Sequence, residues 1–189
     1  MMKHPISTYY LLCLFTTMVI PSCVNDLKKI DEIASIKDIG AELGKNVEVV
    51  VTNNGVMSVK IIATETKRHM EGTPYTEFPR GIKAYTYNSD LEIESSMTAK
   101  YATIHEKGGK IEVMNAKNDV VVVNLKGEKL NTEELMWNQI EKKIYATGFV
   151  RITTPDEIIY GNGLEAKEDF SEYTIKKVTG KVKVKNGDL

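Results

Sequence analysis

The sequence is poor in the residues that build metal and redox sites: two cysteines, three histidines and one tryptophan in 189 residues. Cysteines at positions 13 and 23 alone cannot form a multi-thiolate metal centre. The histidines at 4, 69 and 105 share no metal-ligand spacing, so His69 and His105 read as isolated, solvated surface groups. No serine sits in a Gly-x-Ser-x-Gly elbow, and the GNG at 161–163 has no helical pattern after it, which makes it a turn rather than a phosphate cradle. The carboxylate pairs Glu133–Glu134 and Asp156–Glu157 have the composition of a glycosidase dyad, but both lie among lysines and read as solvated surface. Charge of one sign is also lacking. A formal net charge of −1, with both signs interspersed, gives no field to recruit nucleic acid or an anionic membrane. These absences predict a chain without catalytic residues, metal or cofactor.

The longest apolar run is LLCLFTTMVI at 11–20, too short for the roughly 20 residues of a membrane-spanning helix. It follows Lys3 and ends in IPSC, with an apolar residue three before Cys23 and a serine just before it. This arrangement resembles a bacterial lipoprotein signal, in which the cysteine thiol receives a diacylglycerol and the peptide is cut in front of it. Residues 1–22 are therefore expected to be removed and Cys23 lipidated, which takes Cys13 away and leaves no disulfide. Residues 23–45 place Leu27, Ile30, Ile33, Ile36 and Ile39 three apart, without the four-residue steps of a helical stripe. They read as a tether, and residues 46–189 as one domain.

From residue 47 the pattern is one of strands. VEVVV, VMSVKIIA, GIKAYTY, KIEVMN, VVVVN, FVRIT and EIIYG alternate with turns such as TNNG, YNSD, EKGGK and LKGE. NTEELMWNQIEK competes as a helix, with Asn131 and Glu134 as a possible capping box. An internal repeat favours a strand there. Val120 and Val122 match Val150 and Ile152 and then Val182 and Val184, a period near 31 residues. Such a repeat implies stacked hairpins, each covering its neighbour's apolar face. Alternation then turns Val49, Val51, Val59, Ile61, Val120, Val122, Val150, Ile152, Val182 and Val184 to one interior, either a closed core or an open apolar groove. Val121 and Val123 break the alternation and call for local cover.

The lipid signal, the hairpin repeat and the segment PYTEFPRGIKAYTY (74–87) together resemble the LptC family, in its lipoprotein form, from about residue 46 to 185. NDVVVVNLKGEKLNTEELMWNQIEKKIYATGFVRITTPDEIIYGNGLEA carries the same likeness. Members usually hold the membrane by an N-terminal helix, where this sequence has Cys23. The resemblance implies an all-β fold, a twisted and partly open antiparallel β-jellyroll of repeated hairpins like LptA. It implies a non-catalytic subunit that receives lipopolysaccharide from an inner-membrane ABC transporter and passes it to an LptA-like periplasmic protein. It places Phe78, Val182 and Asn46 on the acyl-chain groove, and makes Gly148 a position where a bulky side chain disrupts assembly. The C-terminal edge, with Val178, Gly180 and Val184, becomes the strand that pairs with the next jellyroll. Its Lys181, Lys183 and Lys185 equally fit a strand protected against edge-to-edge aggregation. The expected location is the periplasmic face of the inner membrane, with the inner leaflet of the outer membrane less favoured. The competing reading is an envelope lipoprotein that carries or binds another ligand.

Overall fold

A computed structural model describes residues 41–184. The expected signal peptide, Cys23, residues 24–40 of the tether and Lys185 lie outside the described residues. Eleven strands make up the described chain: β1 (Ala41–Asn53), β2 (Val56–His69), β3 (Tyr75–Phe78), β4 (Ile82–Tyr87), β5 (Ile93–Ala99), β6 (Tyr101–Lys107), β7 (Lys110–Asn124), β8 (Lys129–Asn138), β9 (Lys143–Thr153), β10 (Glu157–Lys167) and β11 (Tyr173–Lys183). There is no helix among the described residues. The NTEELMW segment is strand β8, as the repeat requires. The boundary at residue 46 needs correction. Residues 41–45 are already strand, because β2 is long enough to offer backbone partners from Ala63 back to His69.

All neighbouring strands pair antiparallel in one sheet, in the order β11-β10-β9-β8-β7-β5-β4-β2-β3-β6, with β1 on β2 and β6 also on β7. The long strands serve two neighbourhoods. β2 pairs with β4 through Val59–Ile62 and with β3 through Lys67–His69. β7 pairs with β6 up to Lys117, and from Val121 to Asn124 with β5. The sheet is thus folded over itself into two leaves. One holds β4, β5 and the turn-side ends of β7–β10; the other holds β3, β6 and their remaining halves.

The fold line is written in backbone geometry. In β1, Asn46 has φ 52° and no ladder partner, between Lys45 and Val47 which both pair. In β7, Asn118 (φ 62°) and Asp119 (φ 54°) fill the register break between Lys117 and Val120. In β10, Gly163 (φ 77°) fills the break between Asn162 and Leu164. Asparagine and aspartate tolerate the left-handed region better than other residues with a Cβ, and strands that change sheets do so at such bulges.

Inside the fold the two leaves share one core, from Val59, Ile61, Val120, Val122, Leu130 and Ile152 on one side to Phe78, Ala102, Met114, Leu135 and Trp137 on the other. Each fully buried Leu, Ile or Phe contributes about 1.5–3 kcal/mol by leaving water, so the core rather than strand propensity holds the leaves together.

Candidate functional site

Directly opposed residues on paired strands point to the same face, so register alone traces the interior. One row runs Val49, Ile61, Ala84, Met97, Val122, Leu130, Ile152, Ile159 across eight strands. Every member but the first is buried. A second row runs Val120, Thr132, Val150, Gly161, Val178. Val120, Val122, Val150 and Ile152 therefore all lie in the interior, at 2% exposure or less. Phe78 is buried in the opposite leaf, across from Ala102 of β6.

The third copy of the repeat differs from its expected register. Val182 pairs with Ile158 and stands on the outer face, 53% exposed; the inner place across from Ile159 belongs to Lys181. The cause is a bulge. Gly161 pairs with Val178 but Tyr160 with Gly180, so Thr179 is skipped and the alternation reverses after it. Val178, not Val182, shares a row with Val120 and Val150. Val184 donates its N–H to the Asp156 carbonyl at 2.9 Å as the chain leaves the sheet. Asn46 is an exposed bend residue of β1. Val121 and Val123 face outward, half-buried between Thr98 and Asn131 and between Ser96 and Lys129. Their cover comes from side chains on adjoining strands.

Gly148 is exposed, and a Cβ there would meet nothing within 4 Å. The close approach is at Gly161, where a Cβ would strike Ile175 and come within 2.7 Å of the Lys177 carbonyl. Any effect of a bulky residue at 148 would arise at the surface and not in the fold.

The leaves pack fully along the fold line and part at the opposite side. A small apolar cleft, with a cavity of about 30 Å³, lies there between Val59, Met97 and Val122 of one leaf and Met114, Trp137 and Ile144 of the other. Its rim is polar. Thr86 and Ser95 share a hydroxyl hydrogen bond of 2.8 Å, and Trp137 Nε1 donates to Glu168 Oε2 at 3.3 Å. The loop after β10 closes one end. Phe170 (φ 56°) is fully buried and stacks on Tyr173 at 5.1 Å between ring centroids. Its carbonyl accepts from Asn124 Nδ2 at 3.0 Å. The same amide group of Asn124 accepts, through Oδ1, from the N–H groups of Lys126 and Glu128 at 3.0 Å each. Burial holds the Glu94 carboxyl above the usual range, with Asp169 and Glu168 adding to it. Sequence patterning gave no notice of Asn124, Trp137 or Phe170 as parts of the mouth. The one available signal was a lone phenylalanine inside the acidic turn EDFSE.

Elsewhere His69 and His105 are not isolated. Cross-strand pairing puts His69, Tyr75 and His105 in one row, with Tyr75 stacked on both rings at 4.4 and 5.7 Å. His69 Nε2 lies 3.3 Å from Glu77 Oε2. No group of three His, Cys, Asp or Glu side chains converges on a metal position among the described residues. The acidic pairs are engaged on the surface: Glu134 with Lys117 at 3.3 Å, Glu133 accepting from the Asp119 N–H at 3.5 Å, and Glu157 with Lys181 at 3.2 Å.

The sheet ends in two strands paired on one side each. β1 carries Glu42, Lys45 and Glu48; β11 carries Lys176, Lys177, Lys181 and Lys183 and no acid. Along each, a row of backbone groups is left for another strand.

A protein-family model described as "Lipopolysaccharide-assembly, LptC-related" matches residues 29–183. No curated protein matches the sequence.

Proposed function

The chain belongs to the LptC family and so takes part in lipopolysaccharide transport, and on that premise we propose that its interior carries the acyl chains. The observation behind this reading is the row of aliphatic side chains that crosses the sheet from β1 to β10 and adjoins a small apolar cleft between the leaves. Hydrocarbon needs such a surface, without polar groups seeking partners; Thr86 and Ser95 bond each other at the rim, and the buried Thr132 hydroxyl donates to the Phe149 carbonyl at 2.9 Å. No step of this carriage calls for bond making or breaking, and the subunit is non-catalytic.

The two open edges support a bridging role. β1 would receive a strand from the inner-membrane ABC transporter, and β11 would add its edge to an LptA-like periplasmic protein by β-augmentation. Four lysines without an acid on β11 favour a partner edge that bears acids. A lipid on Cys23 would hold the protein on the periplasmic face of the inner membrane, since two or more acyl chains anchor stably.

A photocrosslinking residue at Ile144 tests the interior. Adducts with lipopolysaccharide are expected in growing cells, and none from Lys83 on the outer face. Equal labelling from both positions would refute the assignment. For the edge, removal of residues 178–189 should end capture of the LptA-like partner with the β circular-dichroism signal kept; undiminished capture would exclude β11 as the joining strand.

A further inference from the structure

The loop between β10 and β11 is short and acidic, yet it buries a phenylalanine completely. We propose that residues 168–172 form a strap across the mouth of the interior, and that Phe170 occupies the seat of one hydrocarbon chain until lipid entering the cleft displaces it. The inference rests on the reading of the interior as an acyl-chain site.

Four observations carry it. First, the strap ties the two leaves together at the side where they part. It springs from β10 in one leaf, while Asn124, which holds the Phe170 carbonyl, ends β7 in the other. Second, the seat adjoins the cleft. Ser95 lines the cleft and pairs with Asn124, and Glu168 of the strap is itself a cleft wall, bonded to Trp137. Third, the strap is held by attachments that water can replace. They are the Asn124 amide on the Phe170 carbonyl, the Trp137 indole and Lys142 ammonium on the Glu168 carboxylate, the Glu168 N–H on the Lys142 carbonyl at 3.1 Å, the Lys167–Glu172 ion pair and backbone bond, and the turn from Phe170 N–H to the Lys167 carbonyl at 2.9 Å. Phe170 holds φ 56°, which a side chain with a Cβ disfavours. Fourth, the cavity between the leaves holds only about 30 Å³, far below the roughly 300–1,000 Å³ of ligand pockets. An acyl chain needs more, and Phe170 is a large buried apolar side chain carried by a loop whose Glu168 lines the cleft.

Trp137 is the single tryptophan of the chain and touches the strap, so its emission reports the strap's position. The test titrates the full chain with purified lipopolysaccharide, using the deacylated molecule as control, and follows co-elution, Trp137 emission and amide exchange. Acylated lipopolysaccharide is expected to shift the emission and to speed exchange of residues 168–172 by about tenfold, as a shift toward the open strap requires. The deacylated control is expected to do neither. Co-elution with unchanged emission and exchange would overturn the strap and leave the acyl-chain reading standing; no co-elution at all would remove both. Phe170→Ala supplies an independent arm. With nothing competing for the seat, apparent affinity should rise by about three- to tenfold. A folded variant with unchanged or weaker affinity would count against displacement. The exchange measurement on the natural chain holds even if that variant does not fold.

Discussion

The two ends of the interior row contrast sharply. At β1 the row ends in Val49, half-buried, with Val51 beside it on the same face and no covering loop drawn into the core there. At β11 it ends in Lys181, paired with Glu157, and the neighbouring volume is plugged by Phe170. Both strands leave a backbone edge open. In this row only the first continues the apolar surface to that edge; elsewhere on β11, Tyr173, Ile175 and Val178 carry apolar side chains to the edge. Along this row a strand added at β1 would meet an apolar side chain, whereas one added at β11 would meet Lys181. The difference is a polarity along that row: an apolar end at β1, and an ion-paired end at β11 near the buried Phe170.

The register that creates this polarity gives the largest expected effect. Ile152 is an inner residue and Val182 an outer one, although the repeat treats them alike. Ile152→Ala should cost about 2–5 kcal/mol, the range for emptying a packed core site. Val182→Ala should stay within about 0.5 kcal/mol, as surface changes do. Urea unfolding of the two variants decides it. Comparable losses would mean that Val182 is buried and that the bulge at Thr179 does not exist.

That pair also marks where the sequence stops being legible. All-β structure could be read because glycine- and asparagine-rich turns punctuate the apolar runs at near-constant spacing. The inward direction of Val120, Val122, Val150 and Ile152 followed from alternation, which is local. A single skipped residue reverses alternation for everything after it, and nothing about Thr179 announces that it is the one skipped. Asn46 looks like the polar start of a strand, yet its left-handed backbone makes it part of a fold line that only the paired strands define. Phe170 was hidden for the opposite reason. A phenylalanine among Glu168, Asp169, Ser171 and Glu172 has the composition of a solvated turn, and its burial depends on a mouth formed by residues more than forty positions away.

The attachment of β11 to the sheet can be separated from its use as an edge. Gly161→Val places a side chain against Ile175 and the Lys177 carbonyl, and overpacking of this kind costs about 1–3 kcal/mol. Amide exchange should rise along β11 and hardly at all along β1. Gly148→Arg, projecting into open space, should leave unfolding within about 0.5 kcal/mol of the natural chain. If Gly148→Arg nonetheless stops partner capture, its effect lies in assembly alone. Loss of fold in Gly148→Arg would contradict the open surroundings of that residue.

The smallest effect probes the charged end against the apolar one. Burial raises the Glu94 carboxyl above the usual carboxylate range, and Asp169 and Glu168 raise it further. A carboxyl with a raised folded-state value binds its proton more tightly in the folded chain. Its ionisation therefore costs stability, in full above the raised value. The cost fades as pH falls toward the ordinary value, and below that both states are protonated and nothing changes further. Glu94→Gln should thus stabilise the protein at pH 7 by about 0.5 kcal/mol once solvent screening is allowed for, with the gain gone near pH 4. At the β1 end the sign should reverse. Glu48 pairs with Lys60 at 2.8 Å, and Glu48→Gln deletes a surface ion pair, for a loss of about 0–0.5 kcal/mol. Unfolding of both variants at pH 7 and pH 4 measures the contrast. A destabilising Glu94→Gln at neutral pH would mean that its carboxylate is held by partners rather than crowded, and that the strap end is not under electrostatic tension.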